Sequence, residues 1–154
     1  MKSLIAIVAF TVIAIQSLNA QQEKRIALVI GNANYDKGAL DNPVNDALLM
    51  EKTLKSLDFD VILGTNLETR GSFLKVIREF GSKRAAYETA FVYYAGHGIQ
   101  VGSENFLLPT KEIFESEDDV LDFGISVQNI MRYLTGMTNK VNILVLDACR
   151  DNPF

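Results

Sequence analysis

RIALVIG, residues 25–31, is an apolar run rich in β-branched side chains and closed by glycine. It lacks the apolar–polar alternation of a strand with one wet face. It therefore reads as a strand buried on both faces, which is the mark of a parallel sheet covered by helices. Runs of the same kind recur at residues 59–64 (FDVILG), 89–95 (TAFVYYA) and 141–146 (VNILVL). Between them lie helical patterns. Asn42-Pro43 reads as an N-cap with proline in the first turn, and Val44, Ala47, Leu48, Leu54 and Leu57 form a stripe over about residues 43–56. Phe73, Val76, Ile77 and Phe80 share one face of a second helix over about residues 72–83. Ser126 is expected to cap a third helix with Val127, Ile130, Met131 and Leu134 inward. Residues 104–109 read as a short extended segment and residues 115–119 as a solvated acidic loop. Alternating strands and helices give an α/β domain with a mostly parallel central sheet between two helical layers.

The chain has 154 residues, 48% hydrophobic and 22% charged, enough to bury the core of one domain. Its 15 basic against 19 acidic residues leave no basic patch for phosphate neutralisation, so nucleic acid is not an expected partner. Met1-Lys2-Ser3, an apolar run over residues 4–15 and then QSLNA read as a secretory signal peptide of residues 1–20. That run is shorter than the roughly 20 residues of a bilayer-spanning helix. The expected product is residues 21–154, secreted or periplasmic and free of the membrane, with a formal charge of 14 − 19 = −5. In an exporting context the single cysteine, Cys149, has no partner in its own chain, so it is buried, reactive or paired between chains.

In open α/β sheets ligands gather beyond the carboxyl ends of the strands. His97 and Cys149, the only histidine and the only cysteine, both fall just past such ends. Neighbouring strands lie about 4.8 Å apart, so adjacent third and fourth long strands would let the two side chains meet. A thiol with a free pKa of about 8.5 needs a base, and an imidazole near 6.5 suits that task. Gly96 and Gly98, lacking Cβ, would let a substrate carbonyl approach backbone N–H groups. Gly98 N–H and Cys149 N–H are the candidate oxyanion donors. Taken singly, a lone cysteine is a small buried hydrophobe and a lone histidine an ordinary polar residue. The pairing at two strand ends is what argues for chemistry.

Asp147-Ala-Cys-Arg-Asp151 follows His97 by 149 − 97 = 52 residues, close to a caspase signature that places Q-A-C-[RQG]-G about 50 residues after its histidine. Aspartate stands here for the glutamine, and Asp151 for the closing glycine. With ALVIGNANY (27–35), YAGHG (94–98), NFLLP (105–109) and LDACRDNP (146–153), the chain resembles the large-subunit (p20) region of bacterial caspase-like peptidases. These are peptidase C14 relatives of metacaspases and orthocaspases within the caspase–hemoglobinase fold. The resemblance implies a three-layer α/β/α caspase-like fold with Cys149 as nucleophile and His97 as general base. It also implies that Asp46 and Asp147 line a pocket for the Arg or Lys before the scissile bond. Without the resemblance, Asp46 reads as an acid favouring a helix N-terminus and Asp147 as a turn residue.

Calcium-dependent metacaspases carry acids where this sequence has Thr110-Lys111 and Ile125-Ser126-Val127, so no calcium requirement, metal site or cofactor is expected. Glu117-Asp118-Asp119 reads as a solvated loop. The resemblance also implies six core strands, of which four are found; the last two, from a small-subunit region, are expected to be missing. The fourth strand should then present an uncovered apolar edge, and a small-subunit region or a second copy is an expected partner. Two functions follow. The first is a cysteine endopeptidase acting on protein substrates after Arg or Lys; the second is a catalytically inactive caspase-like interaction module or half of an assembly. A nucleotide-binding domain is disfavoured, because Gly31-Asn-Ala-Asn34 lacks G-x-G-x-x-G.

Overall fold

The computed structural model describes residues 23–136 and 140–148. Residues 1–20, read above as a leader, and residues 149–154, and hence Cys149, lie outside the described residues. In chain order the elements are β1 (Arg25–Gly31), α1 (Pro43–Ser56), β2 (Phe59–Thr65), α2 (Arg70–Arg84) and β3 (Thr89–Ala95). They are followed by β4 (Gly98–Val101), β5 (Glu104–Leu107), α3 (Glu117–Phe123), β6 (Ile125–Ser126), α4 (Gln128–Leu134) and β7 (Val141–Asp147). The main sheet has the order β2-β1-β3-β7 and every pair in it is parallel. A small antiparallel sheet, β4-β5-β6, leaves the end of β3.

Residues 26 to 30 of β1 have no exposed surface, as expected of a strand with helices on both faces. Side chains alternate across the sheet. Ile26, Leu28, Ile30, Val92 and Tyr94 pack against Phe73, Ile77 and Phe80 of α2 and Ile130 and Leu134 of α4. Ala27, Val29, Tyr93 and Ala95 pack against Ala47 and Leu54 of α1. Tyr35, Ile99, Phe106, Leu108 and Val120 form a third cluster beneath the small sheet. Truncating a fully buried phenylalanine such as Phe73 would cost about 3–5 kcal/mol.

Three local expectations need correction. The second helix begins at Arg70, not Ser72, because Thr69 and Ser72 form a reciprocal capping box that satisfies two of its free N–H groups. The acidic stretch is not a loop. Ser116 and Asp119 form a second capping box, so Glu117-Asp118-Asp119 is the first turn of α3, where acids favour the positive end of the helix dipole. The bonds from the Glu115 and Ser116 N–H groups and the Ser116 hydroxyl hold the Asp119 carboxyl below its ordinary pKa. Ser126 belongs to β6 rather than capping the next helix, whose N-cap is Val127; its hydroxyl still accepts from Gln128 N–H at 3.2 Å. Asn42 is at the N-cap position of α1 without a side-chain bond. The extended segment at 104–109 contains β5, the middle strand of the small sheet.

β7 is an edge among the described strands, and Val141 (57% exposed), Ile143 (41%) and Val145 (38%) line its bare face. Among the described residues, the fourth long strand thus ends the sheet and carries exposed apolar side chains, as expected.

Candidate active site

β3 lies between β1 and β7, with Ala95 paired to Gly31 on one side and Asp147 on the other. The pairing runs one step further through Gly96 N–H, which donates to the Asp147 carbonyl at 3.3 Å. His97 therefore emerges at the carboxyl edge of the sheet centre, where an α/β fold places its ligands. The two long strands that carry the candidate dyad are neighbours, as the sequence reading required.

His97 is held at several points. Its N–H donates to Tyr35 Oη at 2.9 Å, and its carbonyl accepts from Tyr94 Oη at 2.6 Å and from Leu108 N–H at 3.1 Å. The imidazole lies 4.4 Å from the Tyr35 ring, centroid to centroid, tilted by 54°. Nε2 is 2.6 Å from the Gly38 carbonyl. A carbonyl only accepts, so in the neutral imidazole Nε2 carries the proton and Nδ1 keeps the lone pair. The ring is thereby set to act as a base through Nδ1.

The loop that supplies Tyr35 and Gly38 is anchored by buried polar groups. Asn32 has no exposed surface; its Nδ2 donates to the Leu108 carbonyl at 3.0 Å and its Oδ1 accepts from Leu67 N–H at 2.9 Å. Asn66, at φ 47°, accepts from Ala33 N–H and Asn34 N–H at 2.9 and 3.0 Å. An ion pair between Lys111 and Asp36 closes the loop on its outer side. Gly38 has φ +74°, a conformation open to glycine, and its carbonyl is turned toward the histidine.

The bond from Leu108 N–H to the His97 carbonyl makes Gly98 and Leu107 a non-hydrogen-bonded pair of the β4–β5 ladder. Gly98 N–H consequently points away from β5, as an oxyanion donor must. The reason given for the glycine on the other side of His97 is corrected. A Cβ on Gly96 would lie 2.6 Å from Tyr94 Oη and 2.7 Å from Tyr35 Oη, so the position is packed against tyrosine hydroxyls.

The two candidate pocket acids share a neighbour. Tyr93 Oη is 3.5 Å from Asp147 Oδ2, and both Asp147 and Asp46 lie within electrostatic reach of that hydroxyl. Burial first, and then the charges of Asp147 and Asp46, push Tyr93 above its ordinary pKa. Asp46 stands half-buried in the first turn of α1, and Asp147 is exposed at the end of β7.

Comparison with known proteins agrees with this architecture. A family model for the caspase domain, peptidase C14, matches residues 24–154. The chain belongs to the caspase domain family. Mucosa-associated lymphoid tissue lymphoma translocation protein 1 of Homo sapiens is 30% identical over 129 residues, which is 82% of this chain and 15% of that protein. The Mus musculus homolog is 29% identical over 129 residues with the same coverage. The chain thus spans 15% of the length of these curated relatives. That family is the caspase domain of peptidase C14, and the match covers the whole of the described sheet.

Within this caspase domain the structure brings His97, Gly98, Asp46 and Asp147 to one edge of the sheet, while Cys149 and its N–H lie outside the described residues. The sequence reading missed Tyr35, Gly38 and Tyr94 as parts of the site. A signal existed for Tyr94: a hydroxyl in an otherwise apolar buried strand needs a partner. Burial, followed by the neighbouring Tyr35, holds Tyr94 well above its ordinary pKa. Burial also raises Tyr35, so both hydroxyls keep their protons at neutral pH.

Proposed function

We propose that this caspase domain is a cysteine endopeptidase that hydrolyses peptide bonds after Arg or Lys. One observation carries the reading. In the parallel β3–β7 pair Ala95 faces Asp147, and His97 and Cys149 each follow that pair by two residues in sequence. His97 Nδ1 takes the thiol proton of Cys149, and the sulfur attacks the scissile carbonyl carbon. Gly98 N–H and Cys149 N–H stabilise the oxyanion. His97 then protonates the leaving amine as the C–N bond breaks, leaving a thioester. It next removes a proton from water, which attacks the thioester, releases the carboxylic acid and restores the thiol. Asp46 and Asp147 receive the basic side chain, and their negative field argues against an acidic one. Export directed by residues 1–20 belongs to the same reading.

The test is hydrolysis of fluorogenic peptides ending in Arg, Lys or Asp by wild type, Cys149→Ala and His97→Ala. Cleavage after Arg and Lys is expected, falling by about 10²-fold or more in either variant. Equal turnover by Cys149→Ala rejects the nucleophile, and a preference for Asp rejects the acidic pocket. A second reading, an inactive interaction module, draws on the bare apolar face of β7. It predicts no peptide cleavage together with concentration-dependent association that a charged residue at Ile143 abolishes.

A further inference from the structure

We infer that Tyr35 and Tyr94 are positioning residues for His97, closing a hydrogen-bonded ring through the histidine's own backbone. The inference rests on the proposed role of His97 for its catalytic consequence, while the ring can be tested without any turnover.

Counting protons fixes the direction of every bond. The His97 carbonyl only accepts, so the single Tyr94 hydroxyl proton points to it across 2.6 Å. The His97 N–H only donates, so Tyr35 Oη accepts from it at 2.9 Å. The two hydroxyls are 3.2 Å apart. With the Tyr94 proton already committed, Tyr35 must donate in that pair, its proton shared with the Leu108 carbonyl at 3.3 Å. The result is a closed cycle from His97 N–H to Tyr35 Oη–H, to Tyr94 Oη–H and back to the His97 carbonyl. The Leu108 peptide braces it from outside, its carbonyl sharing the Tyr35 proton and its N–H donating to the His97 carbonyl, and the cycle fixes the peptide groups on both sides of the His97 Cα.

The same tyrosine also reaches the imidazole. Its ring stands 4.4 Å from that of His97, and three residues further along the same loop Gly38 holds Nε2. Tyr35 therefore couples the backbone of residue 97 to the loop that orients its ring. Gly96 is the space in which both hydroxyls sit, since a Cβ there would lie within 2.7 Å of each. A displacement of about 1 Å in a catalytic group costs up to about 10²-fold in rate, so a hydroxyl that never touches substrate can govern the base.

Tyr35→Phe, Tyr94→Phe and the double variant keep both rings and remove only hydroxyls. As the chain has one histidine, His97 is identified directly in NMR spectra. In each single variant of the full chain, amide hydrogen exchange at His97 should rise at least tenfold, while exchange at Val29 in β1 stays unchanged. The imidazole ¹⁵N shifts of neutral His97 should move from one tautomer, with the proton on Nε2, to a mixture. Hydrolysis of an Arg peptide should lose about tenfold in kcat with KM within twofold. The double variant should match the single ones, because either hydroxyl alone breaks the ring. Unchanged His97 exchange in Tyr35→Phe, or losses that add in the double variant, overturns the ring. Faster exchange with the tautomer and kcat unmoved shows a structural role only and overturns the positioning claim. Full turnover by His97→Ala instead sinks the base assignment, leaving exchange and tautomer to judge the ring.

Discussion

Replacing Gly96 with alanine forces a methyl group into the space shared by the two tyrosine hydroxyls. The new Cβ would stand 2.6 Å from Tyr94 Oη, 2.7 Å from Tyr35 Oη and 2.9 Å from Tyr94 Cζ. Both rings must retreat by several tenths of an ångström, because they are stiff and closely packed. Gly96 also has φ +155°, where an L residue costs about 1–3 kcal/mol. Stretching the bonds of the ring adds about 1 kcal/mol for each one lost, with two or three at stake. The total is about 3–6 kcal/mol against a typical domain stability of about 5–15 kcal/mol. Urea unfolding followed by circular dichroism measures it. In wild type the paired Tyr35→Phe and Tyr94→Phe changes should cost about 2–3 kcal/mol. In the Gly96→Ala background they should cost less than about 1 kcal/mol, since the ring is already broken there. Equal costs in the two backgrounds would refute the reasoning.

Two further predictions concern the frame. Arg84 is fully buried, its Nε and Nη2 donate to Asn142 Oδ1 at 3.1 and 2.6 Å, and burial lowers its pKa. Asn142→Ala strips that acceptor from a buried cation and should destabilise the fold by about 2–3 kcal/mol in urea. Arg84→Met with Asn142→Leu, which removes both partners, should cost less, and the reverse order would contradict the account. Tyr35, Tyr93 and Tyr94 are all pushed above the ordinary tyrosine pKa of 10.0, chiefly by burial. Above about pH 10 the unfolded chain releases these protons while the folded one keeps them. Stability should therefore hold below pH 10 and fall as pH rises toward the folded values. Urea midpoints from pH 8 to 11 should decline more steeply in wild type than in Tyr94→Phe; parallel curves would count against it.

The long strands and α1 were legible because a parallel strand buried on both faces must be a continuous apolar run. β1 and β3 match the sequence reading residue for residue, and β2 and β7 each run one residue further. The small sheet was not legible. Its strands have four, four and two residues, too short for a period to show, and β6 pairs with a strand about twenty residues back. α3 was hidden because the acids that begin a helix resemble a charged loop until the Ser116–Asp119 pairing is seen. His97 could be found by its chemistry. Gly38 could not, since its contribution is a backbone carbonyl 59 residues away, and Tyr35 bonds to groups 59 to 73 residues distant. Side chains advertise chemistry in a sequence, whereas backbone partners appear only when the chain is folded.

The central claim is that His97 acts on the thiol of Cys149. The most direct measurement is the rate of Cys149 alkylation by iodoacetamide at pH 7, in wild type and in His97→Ala. A free cysteine with a pKa of about 8.5 is only a few per cent thiolate at that pH. Wild type should react at least tenfold faster than such a cysteine, with His97→Ala falling back to the free rate. Equal rates in the two proteins would contradict the account.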